Sequence, residues 1–273
     1  MIEDEKLFEF FGSTMSEITD DEVLPGKLEV ADSWLVQDGR VRHLQEHYSR
    51  FARWVIERDP SVEFGDLDPS VEFGDFFKLV TALIPREGSW FPRIEFIVHE
   101  GLSQSQLLLK MRKAPELEGT ISLWSFNEAD PRVSPLVKGP DLSLGLQMRR
   151  AAQMHGADEA VLLSAEGFII EGALSSIVWF RDDVLCAPGD DFDWIPSITR
   201  QEVFAIAESM GMQTRYEKVK PADLVDLEIW ALSSLHGIRA VDEWVDLGGP
   251  VGAARHLDAF NKRMRMLSTS IDL

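Results

Sequence analysis

A lysine and a glutamate in the second half of the chain have surroundings that suit chemistry at a buried site. Lys138 follows the apolar residues 135–137, as would a lysine delivered into an interior from a strand, and Glu171 follows the apolar residues 168–170. A lysine amine attacks a carbonyl carbon only when it is neutral, so a reactive lysine needs burial or a neighbouring cation. A carboxylate at the end of a buried strand needs a partner for its charge. Taken alone, each residue would more often be an ordinary surface charge.

Two further segments could bind a phosphate group through backbone N–H groups. Residues 196–200 open a helix with apolar periodicity, in which Thr199 and Glu202 match a capping box. The first turn of a helix offers N–H groups and the positive end of a dipole to an anion. Residues 231–238 supply a second turn of suitable size. An amine, a buried carboxylate and two phosphate-sized turns are together the parts needed to hold pyridoxal phosphate.

The order and spacing of these residues resemble the class IV (fold type IV) aminotransferases, the family of branched-chain and D-amino-acid aminotransferases and aminodeoxychorismate lyase. The resemblance is dense across residues 137–241 and thinner before them. It implies an α+β, two-domain fold like that of D-amino-acid aminotransferase. A small N-terminal α+β domain is expected at residues 1–130, and a larger cofactor-binding domain with a mixed or barrel-like sheet at residues 131–273. The cofactor is expected between the two domains, and the chain is expected to form a homodimer.

The resemblance also implies roles for individual residues. Lys138 would hold the aldehyde of pyridoxal phosphate and then carry a proton between substrate and cofactor. Glu171 would bind the ring nitrogen and keep it charged. The other expected cofactor contacts are Arg50, Ser176, Ile198, Thr199, Ser234 and Leu235. The assignment of Arg50 depends on the short helical pattern His47-x-x-Arg50, and Ser176 stands where the family commonly has asparagine.

The departures from the family pattern concern the substrate more than the cofactor. Residues 26–34 replace the family's Gly-Asp-Gly-x-Phe-Glu-Thr stretch, and no tyrosine follows Lys138 as it does in branched-chain enzymes. Residues 99–101 read His-Glu-Gly where D-amino-acid aminotransferases have Thr-Arg-Gly. Neither substrate type is therefore indicated. The candidates for lining a substrate pocket are Asp32, Trp34, Arg93, His99 and His236, each of which is more often structural than functional.

Three functions follow from this pattern. The first is transamination between an amino acid and a 2-oxo acid. The second uses the same residues to release pyruvate from 4-amino-4-deoxychorismate and form p-aminobenzoate. The third is a non-catalytic dimer of the same fold, which the presence of both Lys138 and Glu171 disfavours.

The composition argues against several other classes of function. The formal net charge is −20 and the pI is about 4.6, which disfavours nucleic acid or an anionic membrane as a partner. The six histidines form no His-Glu-x-x-His motif, so no metal site is expected. Cys186 is the single cysteine and is expected to be a buried thiol in a strand. No signal sequence and no apolar run of about 20 residues is found, which favours a cytoplasmic protein.

Apolar periodicity and turn residues predict the elements that must position these groups. A helix is predicted over residues 42–57, with four side chains facing the core: Leu44, Tyr48, Phe51 and Val55. Further helices are predicted at residues 141–155, 200–210 and 253–267. Strands are predicted at residues 27–36, 90–98, 106–112, 160–164, 168–171, 176–180 and 184–187, with a hairpin turn at residues 37–39.

Two segments are predicted to be connections. Residues 127–135 are rich in Pro, Asp and Ser and are the candidate interdomain linker. Residues 59–66 recur identically at residues 68–75. Because loop closure entropy grows slowly with length, a loop tolerates such an insertion. The repeat is therefore interpreted as a tandem duplication in a loop, without a catalytic role.

Overall fold

The computed structural model describes residues 5–62, 74–99 and 104–272. Most of the duplicated segment at residues 59–75, and part of the segment at residues 99–101, lie outside the described residues. Among the described residues, no α-helix is both long and apolar enough to cross a membrane.

Five α-helices and seventeen strands are found in the described residues. The helices are α1 (Leu44–Arg58), α2 (Asp75–Leu83), α3 (Leu142–Met154), α4 (Ile198–Ser209) and α5 (Leu257–Met266). The strands are β1 (Lys6–Phe11), β2 (Thr14–Ile18), β3 (Lys27–Ser33), β4 (Val36–Gln37), β5 (Arg40–Val41), β6 (Ser89–Trp90), β7 (Arg93–His99), β8 (Gln104–Met111), β9 (Thr120–Phe126), β10 (Glu159–Leu163), β11 (Ile169–Gly172), β12 (Ser176–Arg181), β13 (Val184–Pro188), β14 (Gln213–Glu217), β15 (Ile229–Ser233), β16 (Gly237–Trp244) and β17 (Thr269–Ser270).

The chain divides into two compact units. Unit 1 contains the described residues up to Glu116, together with Val137–Pro140 and the described residues from Ser268 onward. Unit 2 contains Leu117–Leu136 and Asp141–Leu267. Each unit has its own apolar core, one cluster in unit 1 and three in unit 2.

Unit 1 is built on a five-stranded antiparallel sheet in the order β2-β1-β8-β7-β3. Helix α1 packs on β3, and its four predicted core side chains are buried: Leu44, Tyr48, Phe51 and Val55. A second, small sheet in the order β17-β5-β4-β6 contains the predicted hairpin. Its turn residues Asp38 and Gly39 have φ angles of 47° and 69°. Positive φ at both positions is typical of the type I′ turns that join paired strands, so the predicted turn is confirmed.

Unit 2 is built on an eight-stranded sheet in the order β11-β10-β9-β16-β15-β12-β13-β14. Strand β9 is parallel to both of its neighbours, and β13 is parallel to β14, whereas the other pairs are antiparallel. The predicted mixed sheet is therefore confirmed. Cys186 on β13 is fully buried, as expected, and burial raises the pKa of its thiol to about 12.

Some predicted element boundaries are wrong. The predicted strand at residues 27–36 is interrupted after Ser33, because β3 pairs with β7 whereas β4 pairs with β5 and β6. The last helix begins at Leu257 and not at residue 253. Directly before residue 253, the Gly252 N–H donates to the Leu227 carbonyl at 2.8 Å, so the backbone at this point is bonded to a distant segment and not to a helical turn.

A single cut at residue 130 does not describe the two units. Strand β9 pairs with β10 and β16, so residues 117–130 belong to unit 2. Residues 137–140 belong to unit 1, where the Ala31 N–H donates to the Lys138 carbonyl at 2.7 Å. The boundaries of the two units are therefore set by strand pairing and by this backbone hydrogen bond, neither of which can be predicted from amino-acid composition.

Candidate active site

Lys138 lies in unit 1 on a turn that is held against strand β3. Besides the Ala31–Lys138 bond, Gly139 brings the two backbones close together, with a φ of 152°. A Cβ on Gly139 would lie 2.8 Å from the Cα of Val30 and 2.9 Å from the N of Ala31. The expectation that a strand delivers Lys138 is therefore wrong. A close backbone approach that requires glycine places the lysine.

Replacing Gly139 by alanine should destabilise the protein. The added Cβ must displace the backbone of β3, and overpacking of this kind costs about 1–3 kcal/mol of unfolding free energy. Gly12→Ala is the matched control, because Gly12 also has a positive φ, of 65°, but no atom of the described residues beyond its chain neighbours lies within 4 Å of its added Cβ. Urea unfolding should show the larger loss for Gly139→Ala. Equal losses for the two variants would contradict this account of the close approach.

Asp32, on β3, is fully buried and accepts hydrogen bonds from α1. Its Oδ1 accepts from His47 Nδ1 and from Arg50 Nη2, each at 2.8 Å, and its Oδ2 accepts from Arg50 Nε at 2.8 Å. Lys138 Nζ lies 3.6 Å from Oδ1. Asp32, which was predicted to line a substrate pocket, is the centre of a buried group with His47, Arg50 and Lys138, called here the Asp32 cluster.

The Asp32 cluster shifts the acidity of its members. Burial lowers the pKa of Lys138 to about 8; Asp32 opposes this shift, and the Arg50 cation adds to it. Burial alone would raise the pKa of Asp32, but the surrounding donors hold it well below its usual range. Burial lowers the pKa of His47 to about 4, so this ring is neutral near pH 7 and donates its Nδ1–H to the carboxylate. Lys138 is thus an amine with an accessible neutral form.

The other unit 1 candidates have different surroundings. The Arg50 Nε and Nη2 groups are engaged by Asp32, a carboxylate where the resemblance implies a phosphate. Trp34 is buried in the apolar core, against aromatic rings of α1. Arg93 forms an ion pair with Glu95. His99 is buried, and its Nδ1 hydrogen-bonds the carbonyl of residue 25 at 3.1 Å.

Glu171 lies in unit 2 at the end of β11, a strand whose four residues are all buried. Its Oε1 forms an ion pair with Arg132 and accepts the Ile195 N–H at 3.2 Å. No described residue donates to Oε2. Arg132 is itself held by Asp130, whose Oδ2 lies 2.7 Å from Nη2. Burial raises the pKa of Glu171 to about 7, against the opposing charge of Arg132.

Arg132 is a site residue that sequence reasoning missed. It lies within residues 127–135, which were predicted to be a linker but are part of unit 2. Its ion pair joins positions 39 residues apart. No local pattern around Arg132 indicates that distant partner. His47 gave a weak signal, since it shares a face of α1 with Arg50.

Helix α4 provides the predicted helix N-terminus in unit 2, with a different cap. Ser197 is the N-cap residue, and its Oγ accepts the Arg200 N–H at 3.2 Å. The predicted capping box of Thr199 and Glu202 is wrong, because the helix begins earlier and places Thr199 inside its first turn. Thr199 and Ile198 are both buried there.

The second predicted turn joins β15 to β16. It is formed by three candidate residues, Ser234, Leu235 and His236. Burial lowers the pKa of His236 to about 4, and its Nδ1 accepts the Glu118 N–H at 3.2 Å. The remaining candidate, Ser176, is buried at the start of β12.

The groups in each unit fit pyridoxal phosphate chemically. Unit 1 supplies an amine that can become neutral, in Lys138. Unit 2 supplies a buried carboxylate, Glu171, one oxygen of which receives no hydrogen bond from the described residues, and a helix N-terminus suited to phosphate. In the described part of the chain, no group of three or more His, Cys, Asp or Glu residues is placed to hold a metal ion.

Comparisons with known proteins agree with this chemistry. Residues 29–244 match the family described as amino-transferase class IV. A probable branched-chain-amino-acid aminotransferase of Rickettsia bellii is 29% identical over 108 residues, which are 39% of this chain and 36% of that protein. The match therefore spans well under half of the relative's length.

Two solved structures share the fold. The branched-chain amino acid aminotransferase of Escherichia coli aligns with a TM-score of 0.81 and 16% identity, over 98% of this chain and 100% of that chain. A putative 4-amino-4-deoxychorismate lyase of Legionella pneumophila aligns with a TM-score of 0.73 and 16% identity, over 91% of this chain and 98% of that chain. Likeness at such low identity shows the fold alone, which is fold type IV as predicted.

The family match extends from strand β3 to the end of β16 and thus includes elements of both units. The predicted family, and with it the prediction of an enzyme, is confirmed. The chain belongs to the class IV aminotransferases, a family of enzymes that depend on pyridoxal phosphate.

Proposed function

We propose that this protein is a transaminase that moves an amino group between an amino acid and a 2-oxo acid. The main support is the state of Lys138, whose amine has a pKa lowered to about 8 and lies beside the buried Asp32 carboxylate. Such a lysine can attack a carbonyl carbon as a neutral amine and hold a proton as an ammonium ion. Transamination requires one residue that can act both as a nucleophile and as a proton carrier.

Pyridoxal phosphate, when bound, supplies an aldehyde for the amino group and a ring that accepts the electrons left by a broken C–H bond. Lys138 is proposed to be the residue attached to that aldehyde carbon. As a free neutral amine, Lys138 Nζ would accept a proton from the substrate α-carbon. As an ammonium ion it would then give this proton to the former aldehyde carbon and not back to the substrate, which leaves Lys138 a neutral amine again.

Glu171 is proposed to hold a proton on the ring nitrogen of the cofactor. Arg132 and the Ile195 N–H fix the carboxylate through Oε1, and Oε2 would face the ring nitrogen in this proposal. The pKa of Glu171, raised by burial to about 7, makes the carboxylate only partly ionised near neutral pH. A cation at Oε2 would favour the ionised form, because an opposite charge within a few ångströms lowers a carboxyl pKa.

The phosphate group is proposed to bind at the N-terminus of α4 and at the β15–β16 turn. The donors would be the N–H groups of four residues, Ile198, Thr199, Ser234 and Leu235, with the Thr199 hydroxyl and the helix dipole adding to them. Ser176 is proposed as a further contact. Asp32 engages Nε and Nη2 of Arg50, so a phosphate bound by Arg50 would share this guanidinium with Asp32.

A second candidate function is 4-amino-4-deoxychorismate lyase. The observation that favours it is the missing tyrosine after Lys138. Of the two tyrosines, Tyr48 is buried in the unit 1 core with its hydroxyl 2.9 Å from Thr81 Oγ1, and Tyr216 lies on β14. The Legionella protein, a putative lyase of this kind, has the same fold as this chain, so the fold is compatible with the lyase as well as with the transaminase. The lyase would use Lys138 and Glu171 to release pyruvate and p-aminobenzoate.

A panel of amino acids tests the proposal. The protein loaded with pyridoxal phosphate is mixed with each D- and L-amino acid, and its visible absorption spectrum is recorded. At least one donor should convert the cofactor from its aldehyde form to its amine form and release the matching 2-oxo acid in equal amount. Lys138→Ala is the control and should release none.

The alternative outcomes separate the two candidates. If no amino acid converts the cofactor, the transaminase proposal is wrong. If, in addition, 4-amino-4-deoxychorismate yields pyruvate and p-aminobenzoate in equal amounts, the lyase is the function. The mass spectrum of the products identifies the substrate class in either case.

A further inference from the structure

The Asp32 carboxylate has more donors around it than a simple ion pair requires. In addition to His47 and Arg50, its Oδ1 accepts the Ser33 N–H at 2.7 Å, and Lys138 Nζ lies 3.6 Å away. The carboxylate is fully buried, so bulk water does not compete with these donors for its oxygens. An ion pair at the protein surface would not need so many donors around one carboxylate.

We propose that Asp32 is a positioning residue for the reaction: its buried carboxylate fixes the Lys138 amine and the Arg50 guanidinium on shared oxygens and favours the protonated form of the amine. The inference rests on the proposed function in one respect, that Lys138 is the reactive lysine. It goes beyond that function because it assigns a role to a residue that touches neither substrate nor cofactor in the proposed mechanism.

The backbone supports this assignment independently of the side chains. The Ala31–Lys138 hydrogen bond of 2.7 Å joins the residue before Asp32 to the lysine itself. The close approach at Gly139 keeps the two segments in contact. Two backbone contacts therefore hold the base of the Lys138 side chain next to β3, within reach of the Asp32 carboxylate.

The charges that face Lys138 have opposing effects. Asp32 approaches it from β3, neutral His47 and cationic Arg50 from α1, and cationic Arg93 from β7. Among these groups Asp32 alone is negative. An opposite charge at this distance stabilises an ammonium ion, and a like charge destabilises it. Asp32 therefore makes Lys138 a better proton acceptor, whereas Arg50 makes it a better nucleophile.

The test is the pH dependence of the chemical reactivity of Lys138 in the full-length chain without cofactor. Trace acetylation with acetic anhydride is followed by mass spectrometry at a series of pH values, with the exposed Lys6 as internal reference. Asp32→Asn should lower the pH of half-maximal Lys138 labelling by about one to three pH units. Arg50→Gln should move it in the opposite direction, because it removes the nearby cation.

A carboxylate-to-amide change elsewhere on the same strand is the matched control. Glu29 on β3 pairs with Lys27 and Arg58 and is not among the charged groups that act on Lys138, so Glu29→Gln should leave the labelling midpoint unchanged. Asp32→Asn leaves Arg50 without its buried partner, and far-UV circular dichroism checks that the variant folds. If it does not fold, the double variant Asp32→Asn/Arg50→Gln replaces it and should show a lower midpoint than Arg50→Gln alone.

The results that would overturn the inference are distinct from those that would overturn the proposed function. An Asp32→Asn midpoint that stays or rises, or shifts of the same sign in Asp32→Asn and Arg50→Gln, rules out the role of Asp32. Attachment of pyridoxal phosphate to another lysine would instead refute the role of Lys138. The labelling midpoints would still report the coupling between Asp32 and Lys138 in that case.

Discussion

A Lys138→Ala protein should contain no borohydride-reducible link between the chain and pyridoxal phosphate. Lys138 combines a lowered pKa of about 8 with partial burial, and alanine removes both the nucleophile and the proton carrier. Turnover should fall by at least roughly 10²- to 10⁴-fold, the range for loss of one positioned acid–base group. The measurement is the mass of the peptide that contains residue 138 after reduction and proteolysis, together with the rate of 2-oxo acid formation.

Two variants separate chemistry from folding in this experiment. Lys138→Arg keeps a cation beside Asp32, but a guanidinium stays protonated and cannot form the link. It should therefore fold and remain inactive. Lys27→Ala removes an exposed lysine of β3, in the same unit, and should keep both the link and the turnover. A reducible link on any lysine other than Lys138 in the unmodified protein would show that the assignment is wrong.

Glu171→Gln should leave the protein folded but slow turnover by roughly 10²- to 10³-fold, the usual cost of removing one preorganised charge partner from a reacting centre. Glutamine has nearly the same shape and can still accept from Arg132 and Ile195. Arg132 keeps its second partner Asp130, so no buried cation is left alone. The loss should appear in kcat with pyridoxal phosphate still bound, because glutamine cannot hold a proton on the ring nitrogen.

Glu159→Gln is the matched control for this change. Glu159 lies on β10, which pairs with β11, is also buried, and has a pKa raised by burial to about 7. The positive charge of Arg239 opposes this shift, and Glu159 has no place in the proposed mechanism. If Glu159→Gln slowed turnover as much as Glu171→Gln, or if Glu171→Gln had no effect, the assigned role of Glu171 would be refuted.

The parts of the site that could be predicted are those with a local signal. An apolar run followed by Glu171 indicated a buried strand end, and β11 confirms it. The apolar spacing after residue 200 indicated a helix, although its cap was placed two residues late. The fold class came from the order of motifs along the chain, which the family match confirms.

Partners could not be predicted where they depend on how distant segments meet. Arg132 and Asp32 had no local feature that specified Glu171 or Lys138 as neighbours. The apolar residues before Lys138 led to a second error, since they indicated a strand. Val137 is in fact part of the unit 1 core, so its apolar character reflects burial on a turn.

The number of times the chain passes between the two units limits which recombinations between homologous genes can give a folded protein. The chain passes from one unit to the other after Glu116, Leu136, Pro140 and Leu267. A hybrid gene joined once, near residue 130, would combine the Asp32 of one parent with the Lys138 of the other and would divide unit 2. Single crossovers between homologous genes should therefore rarely yield working proteins. Residues 137–140 are expected to evolve together with β3, although about 100 residues separate the two segments in sequence.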